Sequence, residues 1–133
     1  MGLWILFAAI YVIAAAVSLW SRAQVTGFLG DTPSIRSTTD LERFKALARL
    51  EMHLALAMIV LLVTGLVTGL VLIRQHGVAV LFLVLLVNAA VIGLGLFHKG
   101  VEDKARNLRT AEGLEQEYRR VCQTWTKKAL PDF

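Results

Sequence analysis

Charged residues are absent from three long stretches of this chain. Residues 1–21, 52–73 and 75–98 contain no Asp, Glu, Lys or Arg. A helix of ~20 apolar residues rises 1.5 Å per residue and therefore crosses ~30 Å of hydrocarbon. The hydrophobic fraction of 56% and the mean hydropathy of +0.63 also indicate membrane insertion. The sequence predicts an all-α membrane protein of one domain, residues 1–133, with transmembrane helices at about 3–20, 52–73 and 78–97.

Motifs of several enzyme classes are also absent. The patterns GxxxxGK[ST], HExxH, CxxC and GxSxG do not occur. The polar segments 22–51 and 99–133 are each too short to bury a core of their own, so we expect no soluble active-site domain and no enzyme. Cys122 is the only cysteine, which excludes an internal disulfide. No charged residue lies deep in a span, which argues against a self-sufficient ion-coupled transporter.

Basic residues are distributed unevenly around the three spans. Of the 14 Lys and Arg, none precedes the first span, five follow it, one (Arg74) separates the second and third, and eight follow the third. Basic residues accumulate on the cytoplasmic side. We therefore expect a bacterial inner-membrane protein with the N-terminus outside and the C-terminus in the cytoplasm. The same rule accounts for the net charge of +4, so we expect no nucleic acid partner. Because residues 1–21 lack a basic n-region, we expect a retained span rather than a signal peptide.

Polar segments complete the predicted architecture. Residues 22–51 should form a cytoplasmic loop and an amphipathic foot, whose helix starts with a capping box of Thr39 and Glu42. The turn 74–77 should fold the second and third spans into a hairpin. Apolar spacings of three and four predict one long cytoplasmic helix over 101–129. Its apolar stripe needs a cover, which would be the foot, the bilayer interface, a second copy or another subunit. This partner face consists of Leu108, Leu114, Tyr118, Val121 and Trp125.

Small residues mark packing surfaces on two spans. Gly65 and Gly69 form a GxxxG pattern in the second span, and Ala89 and Gly93 form a small-xxx-small pair in the third. Such pairs allow two helix backbones to approach closely. The sequence therefore predicts helix packing at both places but does not identify the partner.

Polar side chains fall at matching depths across the predicted hairpin. Counting outward from the turn puts His53 level with His98 near the cytoplasmic surface, and Thr64 level with Asn88 at mid-bilayer. The histidines have three open interpretations: axial ligands of a haem b, a quinone or lipid headgroup site, or two interfacial side chains without a cofactor. For Thr64 and Asn88 the simplest interpretation is a hydrogen bond between packed helices.

Two membrane families share part of this plan. Three spans with histidines near their ends resemble succinate dehydrogenase membrane anchors, although those usually have the N-terminus inside. The predicted orientation, the tight outer hairpin and the Gly/Thr-rich segment 64–69 resemble proton-channel stator proteins. Their region between the first two spans is much longer than it is in this chain. We assign the chain to neither family and transfer no residue roles.

These observations lead to a functional expectation without catalysis. We expect a small accessory or structural subunit that packs against a larger membrane complex and stabilises or assembles it. Its partners would be membrane lipids and other membrane subunits or copies of itself, with no metal and no cofactor. One alternative is a haem b or quinone-binding anchor of a respiratory or photosynthetic redox complex, through His53 and His98. A second alternative is a homo-oligomeric pore or stator-like ring.

Overall fold

Three long helices dominate the structure. The computed structural model describes all residues, 1–133. Three of the helices are long and apolar enough to cross a membrane, and each contains one of the three predicted spans. This confirms the all-helical class. Two very short strands pair in parallel beside the helices. In chain order the elements are α1 (Gly2–Asp31), β1 (Ser34–Ile35), α2 (Thr38–His76), α3 (Val78–Ala105), β2 (Arg109–Thr110) and α4 (Glu115–Lys127).

Helix α1 continues beyond the predicted end of the first span. A loop was expected from residue 22, but the helix ends at Asp31. Hydropathy reports where a chain leaves the membrane, and it does not report where a helix ends. The stop comes where the Thr32 amide bonds to the Phe28 carbonyl at 2.8 Å and Pro33 follows. Proline lacks an amide hydrogen and disfavours helical backbone in the residue before it.

Helix α2 begins before the predicted capping box. Its N-cap is Ser37, whose hydroxyl oxygen accepts a hydrogen bond from the Asp40 amide at 3.2 Å. The Asp40 carboxylate accepts in turn from the Arg36 amide at 3.1 Å. The predicted box of Thr39 and Glu42 is therefore wrong, since both residues already lie inside the helix. Either pair fits the pattern, and the chain uses the earlier one.

The long helix predicted over 101–129 is also wrong. Helix α3 ends at Ala105, and the chain turns back at Gly113 before α4 begins. Gly113 has a φ of +90°, which glycine tolerates because it has no Cβ. The Tyr118 hydroxyl donates to the Ala105 carbonyl at 2.6 Å and accepts from the Leu108 amide at 3.0 Å. These bonds satisfy backbone groups at the end of α3 and hold α4 against it.

The segments outside the spans build a shared hydrophobic core, which we call the cap. Helix α4 folds back on the start of α2, where the Phe44 ring lies 4.7 Å from the Tyr118 ring and 5.9 Å from the Trp125 ring. Each segment was expected to be too short for a core of its own, and the two instead contribute to one shared core. The buried residues of the cap are Val25, Ile35, Leu41, Phe44, Leu47, Ala48, Met52, Ala105, Tyr118, Val121 and Trp125.

A second core lies between the three long helices. The Trp4 ring lies 5.5 Å from the His76 ring, so the start of α1 lies beside the end of α2. Only Gly77 separates α2 from α3, and its φ of +82° allows the chain to reverse there. The buried apolar residues of this bundle core are Phe7, Ile10, Tyr11, Leu72, Val80, Val84 and Val91.

Candidate functional site

A group of four polar side chains joins all three long helices at the boundary between the bundle and the cap. Ser21 comes from α1, Glu51 from α2, and His98 and Glu102 from α3. We call this group the polar cluster. It lies where the uncharged stretches of α2 and α3 give way to charged sequence.

Periodicity explains why these residues meet. Ser21 continues the buried side of α1, four residues before Val25. Glu51 continues the buried side of α2, three residues after Ala48. His98 and Glu102 are four residues apart on α3 and therefore share one side of that helix.

The four side chains are connected by short polar contacts. The Ser21 hydroxyl donates to Glu51 Oε2 at 2.6 Å. His98 Nε2 lies 2.8 Å from the same oxygen, 3.1 Å from Glu102 Oε1 and 3.0 Å from Ser21 Oγ. One imidazole nitrogen is thus surrounded by two carboxylates and a hydroxyl. Such a group can share a proton or bind a cation.

Burial distinguishes this group from ordinary surface ion pairs. Glu51 is only 2% exposed, and its Oε1 has no hydrogen-bond partner. The Nδ1 atom of His98 is also buried without a partner. Buried polar atoms nearly always have partners, because desolvation without a hydrogen bond costs free energy. Glu51 Oε1 and His98 Nδ1 are therefore two buried polar atoms whose missing partners cost free energy.

A cavity of about 300 Å³ adjoins the cluster. The cluster residues form its polar end, and Gly95 on α3 also lines it. The rest of the wall is mainly aliphatic and comes from all three long helices. Apolar lining residues include Val17, Leu54, Met58, Ile59, Leu62, Val91 and Ile92.

The structure does not bring the two predicted histidines together. His53 is exposed, and its Nδ1 lies 2.6 Å from the Arg49 carbonyl oxygen of its own helix. Glu51 faces His98 instead. Residues two apart on a helix point ~200° away from each other, so His53 faces away from the cluster. The depth of a residue along the hairpin does not determine which side of α2 faces α3.

Thr64 and Asn88 do not form the predicted hydrogen bond between helices. The Thr64 hydroxyl donates to the Val60 carbonyl at 2.8 Å, and the Asn88 amide donates to the Val84 carbonyl at 2.7 Å. Each side chain therefore has its hydrogen-bond partner on its own helix. Hydroxyl and amide groups in a span have this option whenever the carbonyl four residues earlier is within reach.

The two small-residue pairs differ in what they contact. A Cβ added at Gly65 would lie 3.0 Å from the Tyr11 ring, and one added at Gly69 would lie 3.1 Å from Val84. The GxxxG pattern is therefore filled by side chains of this same chain. A Cβ added at Gly93 would meet nothing within 4 Å, and Ala89 is exposed. The second pair is uncovered.

The predicted partner face of the C-terminal region is covered by the chain itself. Tyr118, Val121 and Trp125 are buried in the cap. Leu108 and Leu114 are partly buried and pack against the same core. Of the four covers considered from the sequence, the start of α2 is the one that packs against α4.

Burial also changes the titration of the cap. It raises the pKa of the Tyr118 phenol well above its ordinary value, although the Leu108 amide that bonds to this oxygen acts in the opposite direction. Burial likewise raises the pKa of the Cys122 thiol, against smaller lowering effects of Tyr118 and Arg106. Both groups are therefore neutral at physiological pH and behave as core residues. In particular, Cys122 has no feature of a reactive thiolate.

Comparison with protein-family models, with curated proteins and with solved structures found no match for this chain. No residue role is therefore transferred from a relative. Glu51, Glu102 and Ser21 were not predicted as site residues. Sequence signals pointed to two of the three: Glu51 lies on the apolar stripe of α2, and Glu102 follows His98 at a four-residue spacing.

Proposed function

We propose that this chain is a multi-pass protein of the bacterial inner membrane with its cap in the cytoplasm. The distribution of basic residues supports this orientation, since 13 of the 14 Lys and Arg belong to the segments at the cap end. Only Arg74 lies at the opposite end, beside the Gly77 turn. Cytoplasmic flanking segments are enriched in Lys and Arg in this way.

Within that membrane, we propose that the chain is a non-catalytic accessory subunit. It would pack against another membrane protein and stabilise or assemble a larger complex. The single observation that carries this proposal is the uncovered pair of Ala89 and Gly93 on α3. Side chains of this same chain pack against Gly65 and Gly69 of α2. The Ala89–Gly93 pair, in contrast, leaves room for a helix from another chain.

The surroundings of the pair suit a partner helix. Phe82, Leu86 and Leu96 lie on the same side of α3 and are 72%, 68% and 69% exposed. Large apolar side chains therefore border a shallow groove of small residues. Helices in membranes associate through close packing over such grooves, because lipid supplies no hydrophobic force between them. Since the cap face is covered internally, we expect partner contact through this side of α3.

The structure bears differently on the three alternatives. The haem b alternative lacks its pair of axial ligands, because His53 faces away from His98. A quinone anchor stays an alternative, since the cavity beside the polar cluster combines an apolar wall with a hydrogen-bonding end. A homo-oligomeric pore or stator-like ring would place copies of this chain on the Ala89–Gly93 side of α3.

Gentle purification from the native membrane tests the proposal. We expect a colourless sample with other chains at fixed stoichiometry, identified by mass spectrometry. Ala89→Leu should release those chains, whereas the matched change Ala57→Leu, at an exposed position on α2, should not. A pure homo-oligomer would favour the ring, and a co-purified quinone would favour the redox anchor. A stable monomer without partners would contradict all three.

A further inference from the structure

We propose that Glu51, His98 and Glu102 bind a divalent first-row transition-metal ion. This inference does not depend on the accessory role, because it concerns only the polar cluster within one chain. Three residues from two helices would supply one imidazole nitrogen and the carboxylate oxygens. Binding would fix α2 against α3 at the base of the cap.

Spacing of the ligand atoms supports the assignment. His98 Nε2 and one oxygen each from Glu51 and Glu102 lie within 4.8 Å of one another. Zinc–ligand bonds of about 2.0–2.2 Å in tetrahedral geometry place ligand atoms roughly 3.4 Å apart. The observed separations from His98 Nε2 are 2.8 Å to Glu51 and 3.1 Å to Glu102. Both separations from His98 Nε2 therefore lie within about 0.6 Å of the tetrahedral spacing.

The unpartnered oxygen of Glu51 is a separate argument. Glu51 Oε1 has no hydrogen-bond partner although the residue is 2% exposed. A buried carboxylate without full compensation is costly, and buried charges are normally paired or bound to a metal. A cation held by both oxygens of Glu51 would use the unsatisfied atom. Two carboxylates would also balance the charge of a divalent ion, so that the buried site would be neutral when His98 is neutral.

The chemistry of the ligands narrows the choice of metal. Carboxylates alone suit Mg²⁺ and Ca²⁺, but imidazole favours Zn²⁺ and related first-row ions. Thiolates are absent from the cluster, which argues against Cu⁺. Ser21 Oγ lies 3.0 Å from His98 Nε2 and would remain as a partner that orients Glu51. The adjoining cavity offers space for a water ligand at an open coordination position.

Metal titration of the full chain in detergent tests the site. The chain is first stripped with a chelator and then titrated with Zn²⁺ alone by calorimetry, with Mn²⁺ as a second probe. We expect one ion per chain for at least one of these metals, together with a higher thermal unfolding temperature. Absence of stoichiometric binding for both metals would overturn the proposal and leave a hydrogen-bonded cluster with a structural role only.

Matched variants locate the site. Glu51→Gln keeps the size of the side chain and one acceptor oxygen but removes the charge, and His98→Gln removes the imidazole. We expect each to weaken binding by at least the ~10–100-fold that loss of an outer-sphere partner costs in other metal sites. His53→Gln is the control, because His53 is exposed on the other side of α2 and should leave the affinity unchanged.

Folding of the variants is checked by circular dichroism and by elution volume. If Glu51→Gln does not fold, Glu102→Gln replaces it, because the Glu102 side chain is 20% exposed and tolerates change better. Binding that survives in His98→Gln and in the folded carboxylate variant would place the metal elsewhere and refute the assignment. Loss of binding in those two, with binding kept in His53→Gln, is the result that we expect.

Discussion

Gly65 is the position at which one added methyl group tests the packing of the bundle most sharply. A Cβ there would lie 3.0 Å from three atoms of the Tyr11 side chain, which is 7% exposed. The Tyr11 ring packs on the Phe7 ring at a centroid distance of 4.7 Å, so it cannot shift alone. Overpacking of this kind costs ~1–3 kcal/mol, while alanine gains ~1 kcal/mol of helix propensity. We expect Gly65→Ala to lower the free energy of unfolding by up to about 2 kcal/mol, and by about 1–3 kcal/mol relative to an alanine substitution that meets no neighbour.

Reversible unfolding of the purified chain in detergent, followed by circular dichroism, measures this change. Gly93→Ala is the matched control, because nothing lies within 4 Å of the added Cβ. Only the propensity gain then remains, so stability should stay the same or rise by up to ~1 kcal/mol. Equal effects of the two substitutions would refute the packing of α1 against Gly65.

A double-mutant cycle makes the test independent of helix propensity. Tyr11→Leu removes the ring that the new methyl group would meet. The overpacking cost of Gly65→Ala should then largely disappear, which gives a coupling free energy of about 1–3 kcal/mol, since residues in contact are non-additive. Additive effects would mean that Tyr11 and Gly65 do not touch, and that the GxxxG pattern packs against something else.

Three further changes test the cap. Ser37→Ala should lower the free energy of unfolding by about 1 kcal/mol through loss of the N-cap, whereas Thr39→Ala should have little effect in the same thermal scan. Gly113→Ala should cost about 1–2 kcal/mol because alanine is strained at a φ of +90°. The thiol pKa of Cys122 is raised by burial, so the unfolded chain loses this proton first, at its ordinary pKa of 9.0. The contribution of this thiol to the free energy of unfolding should therefore be constant below that pH and fall above it. Unfolding measured below and above that pH should show a smaller decrease in Cys122→Ala than in the unaltered chain.

The three long apolar helices were predictable because the bilayer restricts directly which residues a spanning segment can contain. A helix that crosses hydrocarbon must exclude charge over ~20 residues, and three stretches do so. The ends of the helices were not predictable in the same way. The first uncharged stretch ends before Arg22, but helix α1 continues as far as Asp31. A hydropathy pattern carries no information about that continuation.

The prediction of one long helix over 101–129 was wrong for a different reason. Residues on both sides of the reversal bury the same core, so their apolar spacing continues through the turn as if the helix were unbroken. A glycine inside a helix costs only ~1 kcal/mol relative to alanine, so the presence of Gly113 does not by itself require a break. What determines the reversal is the long-range contact of Tyr118 with the end of α3 and with Phe44. Contacts of that kind are invisible to local periodicity.

The polar cluster was half predictable. His98 was singled out, and its depth was inferred from the hairpin. Its partner Glu51 was missed because histidine was matched with histidine. The buried stripe of α2 passes through Phe44, Ala48 and Glu51 at spacings of four and three, and following that stripe would have placed the carboxylate inside.

Site-specific photo-crosslinking in native membranes tests the accessory role most directly. A photoreactive amino acid replaces Ala89 on α3, and a second variant carries it at Val67, which is 57% exposed on α2. The account predicts that position 89 forms a discrete crosslink to a second polypeptide and that position 67 forms mainly lipid adducts. Lipid adducts alone at position 89 would contradict the proposal that this side of α3 packs against a partner.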